Sequence, residues 1–380
     1  MSTRFSQARR IVVKIGSALL VHEDSGTLRR AWLEALAEDI ARCRARGQEI
    51  AIVSSGAIAL GRRQLGLGDG ALKLEIGQAA AAAGQIRLAH AFQETLSHHG
   101  MNCAQVLVTS ADTEARRRYL NARSTLTSLL RLGAIPVINE NDTVATEEIR
   151  FGDNDRLAGR VAQMISADCL LLLSDIDGFH SADPKRQSGA KLIPEIREIT
   201  PEIEAMAGHQ GGLMGSGGMA TKLDAARIAL AAGCHMAITD GTGPNPLKSL
   251  EEGAACTWFV PQANPGTARK QWIGGSLRPA GTLLVDAGAA RALTSGKSLL
   301  PAGVVAVEGN FGRGDAVVVK DPEGLELGRG LSAYSAADAR LIMGHKSREI
   351  ENLLGYRGRD EMIHRDDLAL RQSTGREGTS

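Results

Sequence analysis

Six short apolar runs punctuate the first two-thirds of the chain, at residues 11–15, 50–53, 104–108, 135–138, 170–173 and 236–239. Each is continuous rather than alternating, which is how a strand reads when both faces of its sheet are covered. The segments between them carry helical spacing. From Leu28 onward, apolar residues fall at Trp32, Leu33, Leu36, Ala37 and Ile40, and the stretch closes on Arg44, Arg46 and Gly47. A stripe of that period with basic residues and a glycine at its end predicts an amphipathic helix. Alternation of strand and helix predicts an α/β fold, with an open, mainly parallel sheet sandwiched by helices and right-handed crossovers. The Ala79 to Ala83 run lies in a helical stretch, where small side chains let neighbouring backbone approach closely.

The pattern fades after Thr257. Residues 261–279 are rich in Pro, Gly, Asn and Arg and read as a linker, with Trp272 their main large apolar group. Beyond them the texture changes to short strands divided by glycines, at 282–285, 304–307 and 316–319, which predicts a small β-rich module. The expected division is an α/β domain over 1–260, a linker over 261–279, a β-rich domain over 280–358 and a flexible tail over 359–380. A length of 380 residues agrees with two domains.

Composition narrows the function classes. With 43% hydrophobic and 23% charged residues the chain is an ordinary globular protein. A formal net charge of +1 gives no long-range attraction toward nucleic acid or an anionic membrane, so an anionic ligand must be held by local charges. Cys43, Cys103, Cys169, Cys234 and Cys256 are odd in number and widely spaced, which fits reduced thiols better than a disulfide frame or a zinc site. The opening decapeptide is polar, without the apolar core of a secretory signal, and no apolar run is long enough to span a bilayer. A cytoplasmic protein is the expectation.

In an open parallel sheet the ligand crevice lies beyond the carboxyl ends of the strands. The residues just past the apolar runs are polar: Lys14, Gly16 and Ser17; Ser54, Ser55 and Gly56; Asn139 to Asp142; Ser174, Asp175 and Asp177. A further polar knot, Gly152-Asp153-Asn154-Asp155, stands where a helix begins. One such cluster is ordinary cap and turn chemistry; five at one edge outweigh that reading. Calcium is disfavoured, because Asp153-Asn154-Asp155 lacks the spaced ligands of an EF-hand loop. Two lysines, Lys14 and Lys222, are set among glycines, and glycine-flanked backbone N–H groups with an ammonium nearby suit phosphate oxygens. Neither segment has P-loop or dinucleotide-fold spacing.

The segments Val13 to Ser17, Ser54 to Ile58, Val137 to Asp142, Gly152 to Asp155 and Gly217 to Lys222 together resemble the glutamate 5-kinases, a branch of the amino-acid kinase family. Ser298 to Gly303 and Gly309 to Gly314 in the β-rich module resemble a PUA domain. The resemblance implies transfer of the γ-phosphoryl of ATP, with Mg2+, to the side-chain carboxylate of L-glutamate, the first step of proline biosynthesis. It implies Lys14 and Lys222 as the cations on the migrating phosphoryl group. Beside the resemblance, the expectation is that Asp155 orients one or both ammoniums. It places glutamate on Ser55, Asp142 and Asn154, and nucleotide on Lys14, Ser174, Asp175 and the loop Ser216, Gly217, Gly218, Met219, Ala220, Thr221 and Lys222. The magnesium ligands stay unassigned. Ser174 stands where the family often has threonine, and Phe179 where tyrosine is common. Inhibition by proline, a homo-oligomer and a partnership with glutamyl phosphate reductase are further expectations. The nearest rival is another amino-acid kinase, acting on acetylglutamate, aspartate or carbamate. RNA binding through the PUA-like module is weaker, because residues 280–358 hold nine basic and nine acidic side chains and the module is neutral.

Overall fold

The computed structural model describes residues 3–68, 70–145, 153–184, 187, 189–208, 218–275 and 278–371. The chain divides into two units, Met1–Pro265 and Gly266–Ser380. In the first, eight strands form one sheet: β1 (Arg10–Ile15), β2 (Glu49–Ser54), β3 (Cys103–Val108), β4 (Ile135–Glu140), β5 (Cys169–Ser174), β6 (Glu195–Ile196), β7 (His235–Asp240) and β8 (Cys256–Phe259), in the order β3-β4-β2-β1-β5-β7-β8-β6. The six strands expected from the apolar runs are all present and run parallel. Strand β8 returns antiparallel to β7, and β6 pairs with β8.

Alternate residues of the central strands serve opposite faces. Ile11, Val13 and Ile15 of β1 join one apolar cluster with Ile50, Ile52, Leu171 and Leu173, while Val12 joins the other with Ala51, Val53, Leu170 and Leu172. The first cluster is covered by the helices Arg30–Ala45, Ala57–Gln64 and Leu74–Ser97, and the second by Arg116–Arg131, Asp153–Ile165 and Met219–Ala231. The amphipathic helix expected from Leu28 begins at Arg30, with Trp32, Leu33, Leu36, Ala37 and Ile40 buried. Gly47, at φ +81°, turns the chain away after it.

The Ala79 to Ala83 stretch does meet neighbouring backbone closely, through flanking glycines. A Cβ at Gly84 would stand 1.8 Å from the Ala57 carbonyl oxygen, and one at Gly61 would stand 1.7 Å from that of Ala80. The Ala57–Gln64 and Leu74–Ser97 helices therefore cross in backbone contact at this point.

The second unit has a five-stranded sheet made of β9 (Gly281–Val285), β10 (Val304–Gly309), β11 (Ala316–Lys320), β12 (Glu326–Leu331) and β13 (Leu368–Leu370), in the order β10-β9-β11-β12-β13. Two features differ from the sequence reading. Within the expected linker, Pro265–Gly275 is a helix that buries Ala268 and Ile273. The expected tail is ordered through residue 371: Met362 and Ile363 are fully buried, and β13 pairs with β12. Dense charge hid these short apolar words, and part of that charge is internal, since Arg269 Nη2 meets Asp367 Oδ1 at 2.6 Å with both side chains buried. Residues 372–380 of that tail lie outside the described residues.

Candidate active site

Side-chain alternation along β1 puts Lys14 on the same face as Val12, the face covered by the Asp153–Ile165 and Met219–Ala231 helices. Asp155 opens the first of those helices, on a stripe that continues through Ala158, Ala162 and Ile165 into the core. Lys222 lies one turn into the second, on the buried stripe of Met219, Leu223 and Ala226. The two helices approach tightly at Gly159, where a Cβ would stand 3.1 Å from the Ala225 carbonyl oxygen. This close packing holds their amino ends together over the end of β1.

The result is a buried cluster built from residues up to 208 positions apart. Lys14 Nζ lies 2.7 Å from Asp155 Oδ1, and Lys222 Nζ lies 3.1 Å from Asp155 Oδ2. The Thr221 hydroxyl, 3.0 Å away, also donates to Oδ2. Asp155 is fully buried, and both lysines are nearly so. Burial is the largest influence on Lys14 and lowers its pKa; the Asp155 carboxylate pulls it back up, and the Lys222 ammonium pushes it down again. For Asp155 burial pushes the other way, but the attraction of Lys14 and Lys222 prevails and holds the carboxyl below its ordinary range.

Beside this cluster, at the ends of β2 and β4, lies a network of neutral polar groups. Asn154 Nδ2 faces three acceptors, the Ser54 carbonyl at 3.1 Å, Ser55 Oγ at 2.8 Å and Asn139 Oδ1 at 3.0 Å. The Ser55 amide donates to the Ile15 carbonyl, tying this edge to β1. Asp142 follows two residues beyond β4, in the turn past its carboxyl end. Ser174 ends β5, buried, with its hydroxyl donating to Asp175 Oδ1 at 3.2 Å. Gly218 caps the Met219–Ala231 helix, whose first turn carries Met219, Ala220 and Thr221. A helix amino end with free N–H groups and a glycine before it suits phosphate oxygens. Ser216, Gly217 and Gly152 lie outside the described residues, as does the side chain of Asp153.

The structure thus gathers Lys14, Asp155, Thr221 and Lys222 in one cluster, and Ser55 with Asn154 in another. The sequence places Asn139 among the polar residues past β4 without a role of its own, and does not single out Gln85. Asn139 Nδ2 donates to Gln85 Oε1 at 2.7 Å, and both side chains are buried. A lone amide on an otherwise small and apolar helix face was the available signal for Gln85.

The fold is thus α/β, with a mainly parallel sheet, two ammoniums gathered on one carboxylate at its carboxyl edge and a glycine-capped helix beside them. The amino acid kinase family model matches residues 9–240, and the PUA domain model matches residues 281–354. The chain is 66% identical over 363 residues to a glutamate 5-kinase of Paramagnetospirillum magneticum, covering 96% of this chain and 98% of that protein. It is 60% identical over 371 residues to a glutamate 5-kinase of Allorhizobium ampelinum, covering 98% and 94%, and 59% identical over 365 residues to one of Dinoroseobacter shibae, covering 96% and 99%. The chain belongs to the amino acid kinase family, and the family resemblance read from its motifs holds across nearly its full length.

Proposed function

We propose that the protein is a glutamate 5-kinase, transferring the γ-phosphoryl of ATP to the side-chain carboxylate of L-glutamate as the first step of proline biosynthesis. The observation that carries the reading is the pair of lysines, Lys14 and Lys222, held side by side on Asp155. Two buried ammoniums repel each other, and an arriving phosphoryl group turns that repulsion into attraction for itself. Full-length likeness to glutamate 5-kinases supports the choice of acceptor.

Glutamate's γ-carboxylate is ionised at neutral pH, so its oxygen attacks the γ-phosphorus without a general base. As the bond from that phosphorus to the bridging oxygen breaks, charge gathers on the equatorial and bridging oxygens, where Lys14 and Lys222 lower the barrier. Asp155 orients both ammoniums. Thr221 and the N–H groups after Gly218, together with Ser174 and Asp175, would hold the nucleotide; Ser216 and Gly217 complete that loop by resemblance. Magnesium, arriving on the ATP phosphates, would supply further charge neutralisation. Asp142 and the Asn154 side-chain oxygen suit the α-ammonium of glutamate, and Ser55 its α-carboxylate. Inhibition by proline, assembly into a homo-oligomer, passage of the labile acyl phosphate to glutamyl phosphate reductase and a cytoplasmic location rest on the family resemblance. Among the described residues no helix is long and apolar enough to cross a membrane.

The test is hydroxylamine trapping of the acyl phosphate by purified protein with ATP and magnesium. Hydroxamate is expected with L-glutamate, and not with aspartate, acetylglutamate or carbamate. Preference for any of those acceptors would overturn the assignment.

A pH dependence follows from Lys14. Its pKa lies below 10.5, so as pH rises it sheds its proton before an ordinary lysine would. The kcat/KM profile, which reports the free enzyme, is expected to fall on the alkaline side with a midpoint below 10.5. Asp155→Asn should move that midpoint further down, because the carboxylate that raises the Lys14 pKa is gone. An unchanged or raised midpoint in the variant would contradict this electrostatic account.

A further inference from the structure

We infer that Gln85, on the Leu74–Ser97 helix, is a positioning residue that holds the buried Asn139 amide in place against Asn154, and thereby supports the affinity for the amino-acid substrate. The inference rests on the reading above that Asn154 meets glutamate. Three amides stand in a row: Asn139 Nδ2 donates to Gln85 Oε1 at 2.7 Å, and Asn154 Nδ2 donates to Asn139 Oδ1 at 3.0 Å. Side-chain amides can turn end for end, but two of these three, Asn139 and Asn154, meet backbone groups that cannot. The Glu140 N–H, 2.9 Å away, can only donate, so the Asn139 atom beside it is Oδ1. The Ser54 carbonyl, 3.1 Å from Asn154, can only accept, so the Asn154 atom facing it is Nδ2. Asn139 must then present Nδ2 to the helix, and Gln85 supplies the oxygen that Nδ2 requires.

Burial makes the requirement strict. Asn139 is 4% exposed and Gln85 is 9% exposed, so an Asn139 Nδ2 left without an acceptor could not turn to bulk water. The consequence reaches the ligand side. With Nδ2 committed to Ser54, Ser55 and Asn139, the Asn154 carbonyl oxygen accepts no hydrogen bond from the described residues and remains an acceptor for a donor such as the substrate's α-ammonium. The backbone crossing at Gly84 sets the depth of the helix, and so brings the next residue, Gln85, within reach of Asn139.

The experiment compares Gln85→Met, which keeps the length but removes the acceptor, with Gln85→Glu, which keeps an oxygen in place. Gln85→Met is expected to raise the glutamate KM about tenfold, equivalent to about 1.4 kcal/mol, with the ATP KM within about twofold of the unsubstituted protein. Gln85→Glu should restore the glutamate KM to within about threefold. Gln85→Ala, which inserts no bulk, must show the same split as Gln85→Met and serves if that variant does not fold. An unchanged glutamate KM, equal rises in both KM values, or a Glu variant that behaves like the Met variant would each overturn the inference. Asn154→Ala separates the two layers. If it too leaves the glutamate KM unchanged, the substrate reading falls; if it raises KM while Gln85→Met does not, the relay alone fails.

Discussion

Lys222→Ala and Lys14→Ala are each expected to lower turnover by about 10²-fold or more, the loss typical of removing one preorganised donor from a developing oxyanion. The same changes should leave the melting temperature unchanged or raise it. Both ammoniums are buried beside each other on Asp155, and the Lys222 charge already disfavours protonation of Lys14. Removing one relieves that repulsion and leaves a matched pair, while Lys222→Met fills the vacated space. Asp155→Asn should show the opposite sign in stability. Without the carboxylate two like charges face each other in the interior, a change of the kind that costs about 3–5 kcal/mol when one partner of a buried ion pair is lost. Lys14 can limit that loss by shedding its proton, since its pKa is already depressed. The decisive observation is therefore a divergence: turnover falls in the lysine variants and in Asp155→Asn alike, whereas thermal midpoints separate according to the sign of the charge removed. Near-normal turnover in both lysine variants would remove the basis of the functional assignment.

How far the sequence discloses this arrangement depends on the distance over which each residue finds its partner. The six parallel strands are legible because their two covered faces leave uninterrupted apolar runs. Strands β6 and β8 are not, being two and four residues long and paired through an antiparallel return. Strand β12 is hidden by its own glycines, which it needs because β13 runs so close: a Cβ at Gly328 would stand 2.3 Å from the Ala369 carbonyl oxygen. At the site, Lys14, Ser55 and Ser174 are found by the rule that ligands gather past strand ends, and the rule is local to each strand. That Asp155 pairs with one or both lysines is reachable as a hypothesis, but the distances are not. Gln85 is harder to find, because its partner Asn139 is 54 residues away and a lone amide on an apolar helix face does not by itself mark a functional residue.

Gly84→Ala is expected to be among the most damaging single-methyl changes in the first unit, against the intrinsic preference of a helix interior. Alanine in place of a mid-helix glycine ordinarily gains up to about 1 kcal/mol. Here the new Cβ would meet the Ala57 carbonyl oxygen at 1.8 Å, its carbon at 2.8 Å and the Gly61 nitrogen at 2.6 Å, all of them backbone. Backbone cannot rotate aside as a side chain can, so the Leu74–Ser97 and Ala57–Gln64 helices must move apart along their crossing. Overpacking of this kind costs about 1–3 kcal/mol and more where the contact is backbone, so the clash outweighs the propensity gain. A net loss of about 2–3 kcal/mol corresponds to a fall of roughly 4–12 °C in the melting temperature of a unit this size. Function should suffer in the same variant. Ala57 follows directly on Ser55 and Gly56, and Gln85 follows Gly84, so separating the helices disturbs both the Ser55 edge and the amide relay. Gly68→Ala is the control, since a Cβ there meets nothing within 4 Å. That variant should melt within about 1 °C of the unsubstituted protein, the range of a surface change without structural consequence. If Gly84→Ala melted alongside it with an unaltered glutamate KM, the helix crossing would have no part in shaping the site.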